Sequence, residues 1–268
     1  WKSLTIIHFD AFTKVNQNFS DLYTFTNNTL EITGILTNIE SFGISRTNDN
    51  FEPILYVEPG DTTLTGVNFQ WQIKKHKRQL VLQQLYLDGV EETTGDGPSI
   101  PNANFTDETF VKTGVIASNT DTTWELRISG QSIAGQPIFV LTKEASLRSR
   151  YKKYWGVSNS ANPQSSEITS VTFNSEWAND NKLTTSYDAE GANTPGAEGR
   201  YIHYAFPYNS TPDVRTFGDL SNVKVGNMPF SDYGSTSITI PVQGMNVTYK
   251  LYTFTNRHYG SNIEVSWS

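Results

Sequence analysis

The chain contains no cysteine among its 268 residues. This absence excludes a disulfide framework, a thiolate metal site and a cysteine nucleophile. Stability must therefore come from packed cores and from assembly.

The sequence also lacks an excess of positive charge and any long apolar run. Its formal net charge is -7, which argues against the concentrated basic surface that nucleic-acid binding requires. No apolar stretch approaches the roughly 20 residues that span a bilayer, and the start shows no apolar core of a signal peptide. We therefore expect no nucleic-acid partner and no membrane insertion. Because the sequence begins with Trp1 rather than Met, we expect residues upstream of it to be missing.

Residues that suit strands and turns are abundant. The chain is 36% hydrophobic and 13% aromatic, and it is rich in Thr, Ser, Asn, Val, Ile and Tyr, which favour half-buried strands or turns. Its length accommodates two domains of about 100 residues each. The composition predicts an all-β protein.

One short segment has helical periodicity, between Asp10 and Asn28. Its apolar residues, spaced 3, 4 and 3 apart, are Phe12, Val15, Phe19 and Leu22. So short a helix is marginal alone in water, so its apolar stripe must be covered. The stripe could associate with copies of itself, which we favour, or pack on its own chain or on another protein.

From Leu30 onward, alternating apolar residues and turn signals predict strands. Examples are the alternating residues of 67–73, of 124–128 and of 263–267 at the chain end. Further strands are predicted at 200–206, 223–225, 238–242 and 247–254, with a helical turn at 165–170. The predicted fold is all-β, with two antiparallel β-sandwich (Ig-like) domains at 30–148 and 149–268 behind an N-terminal assembly segment at 1–29 that contains the helix.

Three segments resemble a known family. Residues 12–23, FTKVNQNFSDLY, resemble a short helix found in tailed-bacteriophage virion proteins. Residues 150–158, RYKKYWGVS, and residues 201–207, YIHYAFP, resemble elements of phage tail-fibre and baseplate proteins, in which an Ig-like sandwich precedes the YWG segment.

This resemblance implies a structural, non-enzymatic virion protein of a phage tail fibre or baseplate, used for host attachment. It also implies partners among other virion proteins and copies of the chain itself, with a homotrimer favoured. A head fibre or capsid decoration protein, or a glycan-binding adhesin module, is the alternative.

Aromatic residues in predicted turns of the second domain form a candidate contact surface for a host glycan, because exposed aromatic rings stack on sugars and are enriched at interfaces. These residues are Tyr208, Phe230, Tyr233 and Tyr259. The alternative is that they cover strand ends or make subunit contacts.

No pattern predicts catalysis, a cofactor or a metal. The four histidines, His8, His76, His203 and His258, lack metal-ligand spacing, and we expect His203 to be a packing residue. Residues 74–78 form a basic run that we interpret as a charged strand edge. Turn chemistry explains the loop carboxylates more simply than a glycosidase pair does; they are Asp88, Glu91, Glu92, Asp96, Asp188 and Glu190.

Overall fold

The structure is a computed structural model. It describes residues 14, 16–22, 38–47, 49–74, 79–95, 105–118, 120–131, 139–189, 199–208 and 216–268. Strands dominate these residues, and antiparallel pairing recurs in several sheets. The prediction of an all-β protein is therefore confirmed.

The first eight strands precede residue 150. They are β1 (Asn38–Ser45), β2 (Ile54–Val57), β3 (Gly66–Lys74), β4 (Gln79–Leu87), β5 (Val90–Gly95), β6 (Phe105–Thr113), β7 (Thr122–Gln131) and β8 (Phe139–Ser149).

Nine strands and one short helix follow. They are β9 (Lys152–Ser158), α1 (Ser165–Ile168), β10 (Asn174–Trp177), β11 (Leu183–Tyr187), β12 (Tyr201–Pro207), β13 (Val223–Val225), β14 (Met228–Pro229), β15 (Tyr233–Val242), β16 (Met245–Phe254) and β17 (Ile263–Trp267). The helix α1 lies within the helical turn predicted at 165–170.

The strands form four sheets. Their orders are β1-β3-β6, β2-β8-β7-β4-β5, β10-β9-β12-β16-β15 and β11-β17-β13-β14. By its contacts the chain divides into two compact units. The first contains Trp1–Ile54, Val67–Lys112 and Thr122–Ser146, and the second contains Leu55–Gly66, Thr113–Asp121 and Leu147–Ser268.

The core of the first unit is aromatic. The predicted alternation in β3 is confirmed, because Val67, Phe69, Trp71 and Ile73 are all buried. The Phe69 ring packs edge-on against Trp124 of β7, with centroids 5.0 Å apart. Across the same core the Trp71 indole N–H donates to Gln83 Oε1 at 2.7 Å. Side chains of the three-stranded and five-stranded sheets thus share one core.

In the second unit, β12 is the most deeply buried strand and packs on both of its faces. Tyr204 and Phe206 join a cluster with Trp267 of the four-stranded sheet, while Ala205 on the opposite face joins Ile240 and Tyr249. A strand that is covered on both faces is expected to be apolar throughout, which explains the nearly continuous apolar character of residues 201–207.

The last strand, β17, lies inside its sheet, between β11 and β13. Val265 and Trp267 are fully buried, whereas Glu264, which directly precedes Val265, is exposed. The prediction that this alternating segment is woven into a sheet is confirmed.

Residues 16–22 have helical backbone. Residue 14 is also helical, whereas the rest of the predicted helix, including Phe12 and Val15, lies outside the described residues. The helix over residues 10–28 therefore stays a prediction.

Candidate functional site

Four side chains of the second unit form a surface group that we name the Asp219 cluster: Tyr208, Asp219, Lys250 and Tyr252. The Tyr252 hydroxyl donates to Asp219 Oδ1 at 3.0 Å, and the Tyr208 hydroxyl donates to Oδ2 at 3.3 Å. Lys250 Nζ lies 3.1 Å from Oδ1 and 4.8 Å from the centroid of the Tyr208 ring. The Asp219 carboxylate is thus contacted by two phenol hydroxyls and one ammonium group.

The fold explains how this cluster assembles. Lys250 and Tyr252 are two residues apart on β16, so their side chains point to the same face of the sheet. Tyr208 directly follows β12, the neighbouring strand, and Asp219 lies in the segment before β13. Two adjacent strands and one loop therefore position all four groups.

The cluster's electrostatics keep Asp219 ionised. The hydrogen bond from Lys250, with those from Tyr252 and Tyr208, lowers the pKa of Asp219, while burial is the largest cause raising the pKa of Tyr252 to about 12. The Asp219 side chain remains 55% exposed. At neutral pH the group therefore presents a carboxylate to solvent beside a half-exposed tyrosine ring.

Two of the predicted glycan-contact residues pack mainly on the core. The Phe230 ring lies 4.3 Å from that of Phe254, and the Tyr233 ring lies 5.8 Å from that of Tyr252. Tyr252 therefore links Tyr233 to the Asp219 cluster, to which the predicted residue Tyr208 also belongs.

Tyr259, the remaining predicted contact residue, is 68% exposed. It lies near Gly199, where an added Cβ would stand 2.9 Å from the Tyr259 ring and 2.2 Å from the His258 carbonyl oxygen. No contact among the described residues joins Tyr259 to the Asp219 cluster.

Sequence reasoning missed Asp219, Lys250 and Tyr252. The alternation along residues 247–254 was a usable signal for placing Lys250 and Tyr252 on one face. Asp219 precedes its partner Lys250 by 31 residues in sequence. No local pattern predicts that the two side chains meet.

His203, which lies on β12, is fully buried. Its Nε2 lies 3.0 Å from Ser158 Oγ and its Nδ1 lies 2.9 Å from Thr253 Oγ1. Burial lowers its pKa to about 4, so the ring is neutral at pH 7. These contacts agree with the expected packing role, with burial more complete than the sequence indicated.

The YWG segment contains a second buried polar group, Lys153, which is 4% exposed. Its ammonium lies 2.9 Å from Glu176 Oε1 and 3.2 Å from Asp180 Oδ1, and it donates to the Lys182 carbonyl. A buried ammonium is costly unless it is paired, so these partners explain how a lysine is accommodated in β9.

The first unit contains a polar cavity of about 570 Å³ beside β1. Lys143 lies at its wall, where its ammonium donates to the carbonyls of Ile39 and Glu40. The cavity is lined by Glu40, Ser41, Phe42, Gly43, Asp49, Asn50, Phe51, Pro53, Gln70 and Lys143. The Lys143 ammonium at the cavity wall is thus already hydrogen-bonded to backbone carbonyls.

Among the described residues, no group of three or more His, Asp or Glu side chains is arranged to hold a metal ion. In that same part of the chain, no helix is long and apolar enough to cross a membrane. His8, His76, Asp96 and Glu190 lie outside the described residues, as do residues 75–78 of the basic run.

No family model, curated protein or solved structure matches this chain.

Proposed function

We propose that this chain is a structural component of a bacteriophage virion, in a tail fibre or baseplate, that assembles through its N-terminal helix and displays two β domains for host attachment. The observation that supports the assembly role is the solvent exposure of Phe19. Its side chain is 68% exposed, at a position in the helical residues 16–22 where the apolar stripe was predicted.

An exposed phenylalanine leaves a large apolar surface in water, and burial in a partner recovers about 1.5–3 kcal/mol for such a side chain. Repetition of that gain in every subunit makes a short helix, marginal alone, stable in an oligomer. A homotrimer is the form we favour.

The segments that resemble phage proteins support a shared architectural role. Strand β9 contains residues 152–158 of the RYKKYWGVS segment, and β12 is the YIHYAFP segment. The two strands are direct antiparallel neighbours, with Trp155 opposite Tyr204. Two stretches separated by more than forty residues thus form one paired unit at the centre of a sheet.

We also infer that each unit is a β-sandwich. In the first, the Phe69–Trp124 contact joins side chains of two sheets. In the second, the rings of Tyr204 and Trp267 lie 5.4 Å apart and join the five-stranded sheet to the four-stranded one. An Ig-like topology of the first unit is part of this proposal.

The assembly role is tested with Phe19→Ser, measured by multi-angle light scattering over a range of concentrations. We expect self-association to weaken by at least about tenfold, the equivalent of losing about 1.5 kcal/mol of apolar burial. The matched control is Gln17→Ser, because residue 17 is exposed on the opposite side of the helical segment. Equal masses for the wild type and Phe19→Ser at every concentration would contradict the helix as the assembly element.

The location is tested by labelling intact phage particles with antibodies against this chain. Label on the tail is expected, label on the capsid would replace the tail assignment with the head-fibre or decoration alternative, and absence from purified particles would refute a virion role.

A host-glycan contact is the second candidate, and the exposed carboxylate of the Asp219 cluster favours it, since carboxylates accept hydrogen bonds from sugar hydroxyls. Glycan-array binding should be lost in Asp219→Asn and retained in Glu264→Gln, which removes an equal charge from an exposed position of β17. Array binding that survives Asp219→Asn would remove this cluster as the contact.

A further inference from the structure

The outer edge of β15 is long and regular. The strand spans ten residues, ends its sheet, and pairs only with β16 among the described strands. The pairing runs through ten consecutive residue pairs without a bulge. Its second edge is therefore an extended row of backbone groups.

Hydrogen bonds at the ends of these strands show which groups face outward. The Thr255 N–H donates to the Asp232 carbonyl at 3.0 Å, in register with the β15-β16 pairing, and the Tyr208 N–H donates to the Thr248 carbonyl at 2.9 Å, on the other side of β16. Because bonded and non-bonded pairs alternate in antiparallel sheets, even-numbered residues of β15 bond to β16. The outward backbone groups belong to Tyr233, Ser235, Ser237, Thr239 and Pro241.

The position of Pro241 agrees with this assignment. Proline has no N–H, so within sheets it occurs where that group would face away from a ladder. The two-residue turn Gln243-Gly244, both with positive φ, closes the hairpin at Val242 and Met245, which is a bonded pair in such turns.

This edge lacks the usual protection against strand pairing. Natural edge strands are commonly short, charged or bulged. By contrast, β10 at the other edge of the same sheet has only four residues. In other sheets of the described chain, edge strand β5 contains Glu91 and Glu92, and edge strand β1 contains Glu40 at a register shift. No residue of β15 is charged, and Ser235, Thr236, Ser237 and Thr239 are exposed.

We propose that β15 pairs with β15 of a second copy of this chain, antiparallel across a two-fold axis at Ser237. In this register Ser237 faces itself, Ser235 faces Thr239 and Thr236 faces Ile238. Every facing pair is uncharged, and hydroxyl or β-branched side chains suit cross-strand contacts. The four outward N–H groups of each copy, at residues 233, 235, 237 and 239, all reach a carbonyl of the partner.

The same contact patch is used by both copies, so the association closes as a dimer and does not propagate. It is independent of the N-terminal helix. A helix-driven oligomer with this contact would join a second oligomer of the same kind.

Charge substitution at the axis tests the pairing in the full chain. We expect Ser237→Lys and Ser237→Glu each to weaken the two-fold association, measured by analytical ultracentrifugation, by about fivefold or more, because each places like charges directly opposite one another. An equimolar mixture of the two variants should restore it. The matched control Asn246→Lys, exposed on β16 of the same hairpin, should associate like the wild type.

A cross-link gives a second, independent readout. Bonded antiparallel pairs have Cα atoms about 5.5 Å apart, within disulfide range, and the chain has no other cysteine. Ser237→Cys should therefore form a covalent dimer under mild oxidation, while Asn246→Cys should not. The proposal is overturned if the charge mixture fails to restore association, or if Ser237→Cys cross-links no faster than Asn246→Cys.

Discussion

The buried histidine of β12 makes the stability of the second unit depend on pH. His203 has no exposed surface, and both ring nitrogens lie within hydrogen-bond distance of hydroxyls, those of Ser158 and Thr253. Its pKa is lowered to about 4, mainly by burial. An unfolded histidine has a pKa of about 6.5. The folded state therefore excludes a proton that the unfolded state accepts.

The sign and size of the effect follow from these two values. Above pH 6.5 the ring is neutral in both states, so His203 opposes folding very little. As the pH falls from 6.5 toward 4, only the unfolded state gains the proton, and stability is lost over that window. Linkage gives a loss of about 2 kcal/mol between pH 7 and pH 5.

Hydrogen exchange of peptides covering residues 201–207, read by mass spectrometry at pH 7 and pH 5, measures the local free energy of opening. We expect the wild type to lose about 2 kcal/mol more than His203→Gln between these pH values, because the variant has no titrating ring. His258→Gln is the comparison variant. His258 is less buried than His203, and burial lowers its pKa too. Removing this ring should therefore also weaken the pH dependence of the free energy of opening. An equal pH dependence in the wild type and His203→Gln would refute the reasoning.

Two further substitutions test the packing. Trp71→Phe removes the N–H that serves buried Gln83, and leaving that amide oxygen unsatisfied should cost about 1–3 kcal/mol in urea denaturation. Gly199→Ala would place its Cβ 2.2 Å from the His258 carbonyl oxygen, so we expect a loss of at least about 1 kcal/mol and a lower melting temperature, whereas Gly218→Ala, with no atom within 4 Å of the added Cβ, should melt like the wild type.

Strands were predictable from sequence where a local period of two is visible. Residues 67–73 and 263–267 alternate apolar and polar residues because each buries one face, and that pattern needs no knowledge of the partner strand. The buried strand β12 was also predicted, since aromatic and apolar residues dominate 201–207.

Strand partners that are distant in sequence were not predictable, because no local pattern specifies them. β11 pairs with β17 about 80 residues later. The contacts of residues 55–66 are similarly distant: the Tyr56 ring stacks on Trp177, and Gln243 donates to Glu58. No periodicity along the chain encodes such pairings.

In the candidate site, too, local features were predictable from sequence and contacts between distant residues were not. Aromatic residues in turns were identified from composition, but Phe230 and Tyr233 turned out to pack on neighbouring rings. The polar partners of Tyr208 were missed, since the Asp219 cluster exists only after β12 and β16 have paired.

The sheets of the second unit can form at different times during folding, and this order affects how β15 meets a second copy of the chain. The four-stranded sheet needs β17 between β11 and β13, and Trp267 on that strand packs against Tyr204 and Phe254 of the neighbouring sheet. Pairings so distant in sequence form slowly, because loop closure costs entropy before contacts compensate for it. By contrast, the β15-β16 hairpin has a two-residue turn and forms from local contacts. The uncharged edge of β15 can therefore be present before the core of its unit is complete, and early pairing with a second copy would protect it from non-specific strand association during folding.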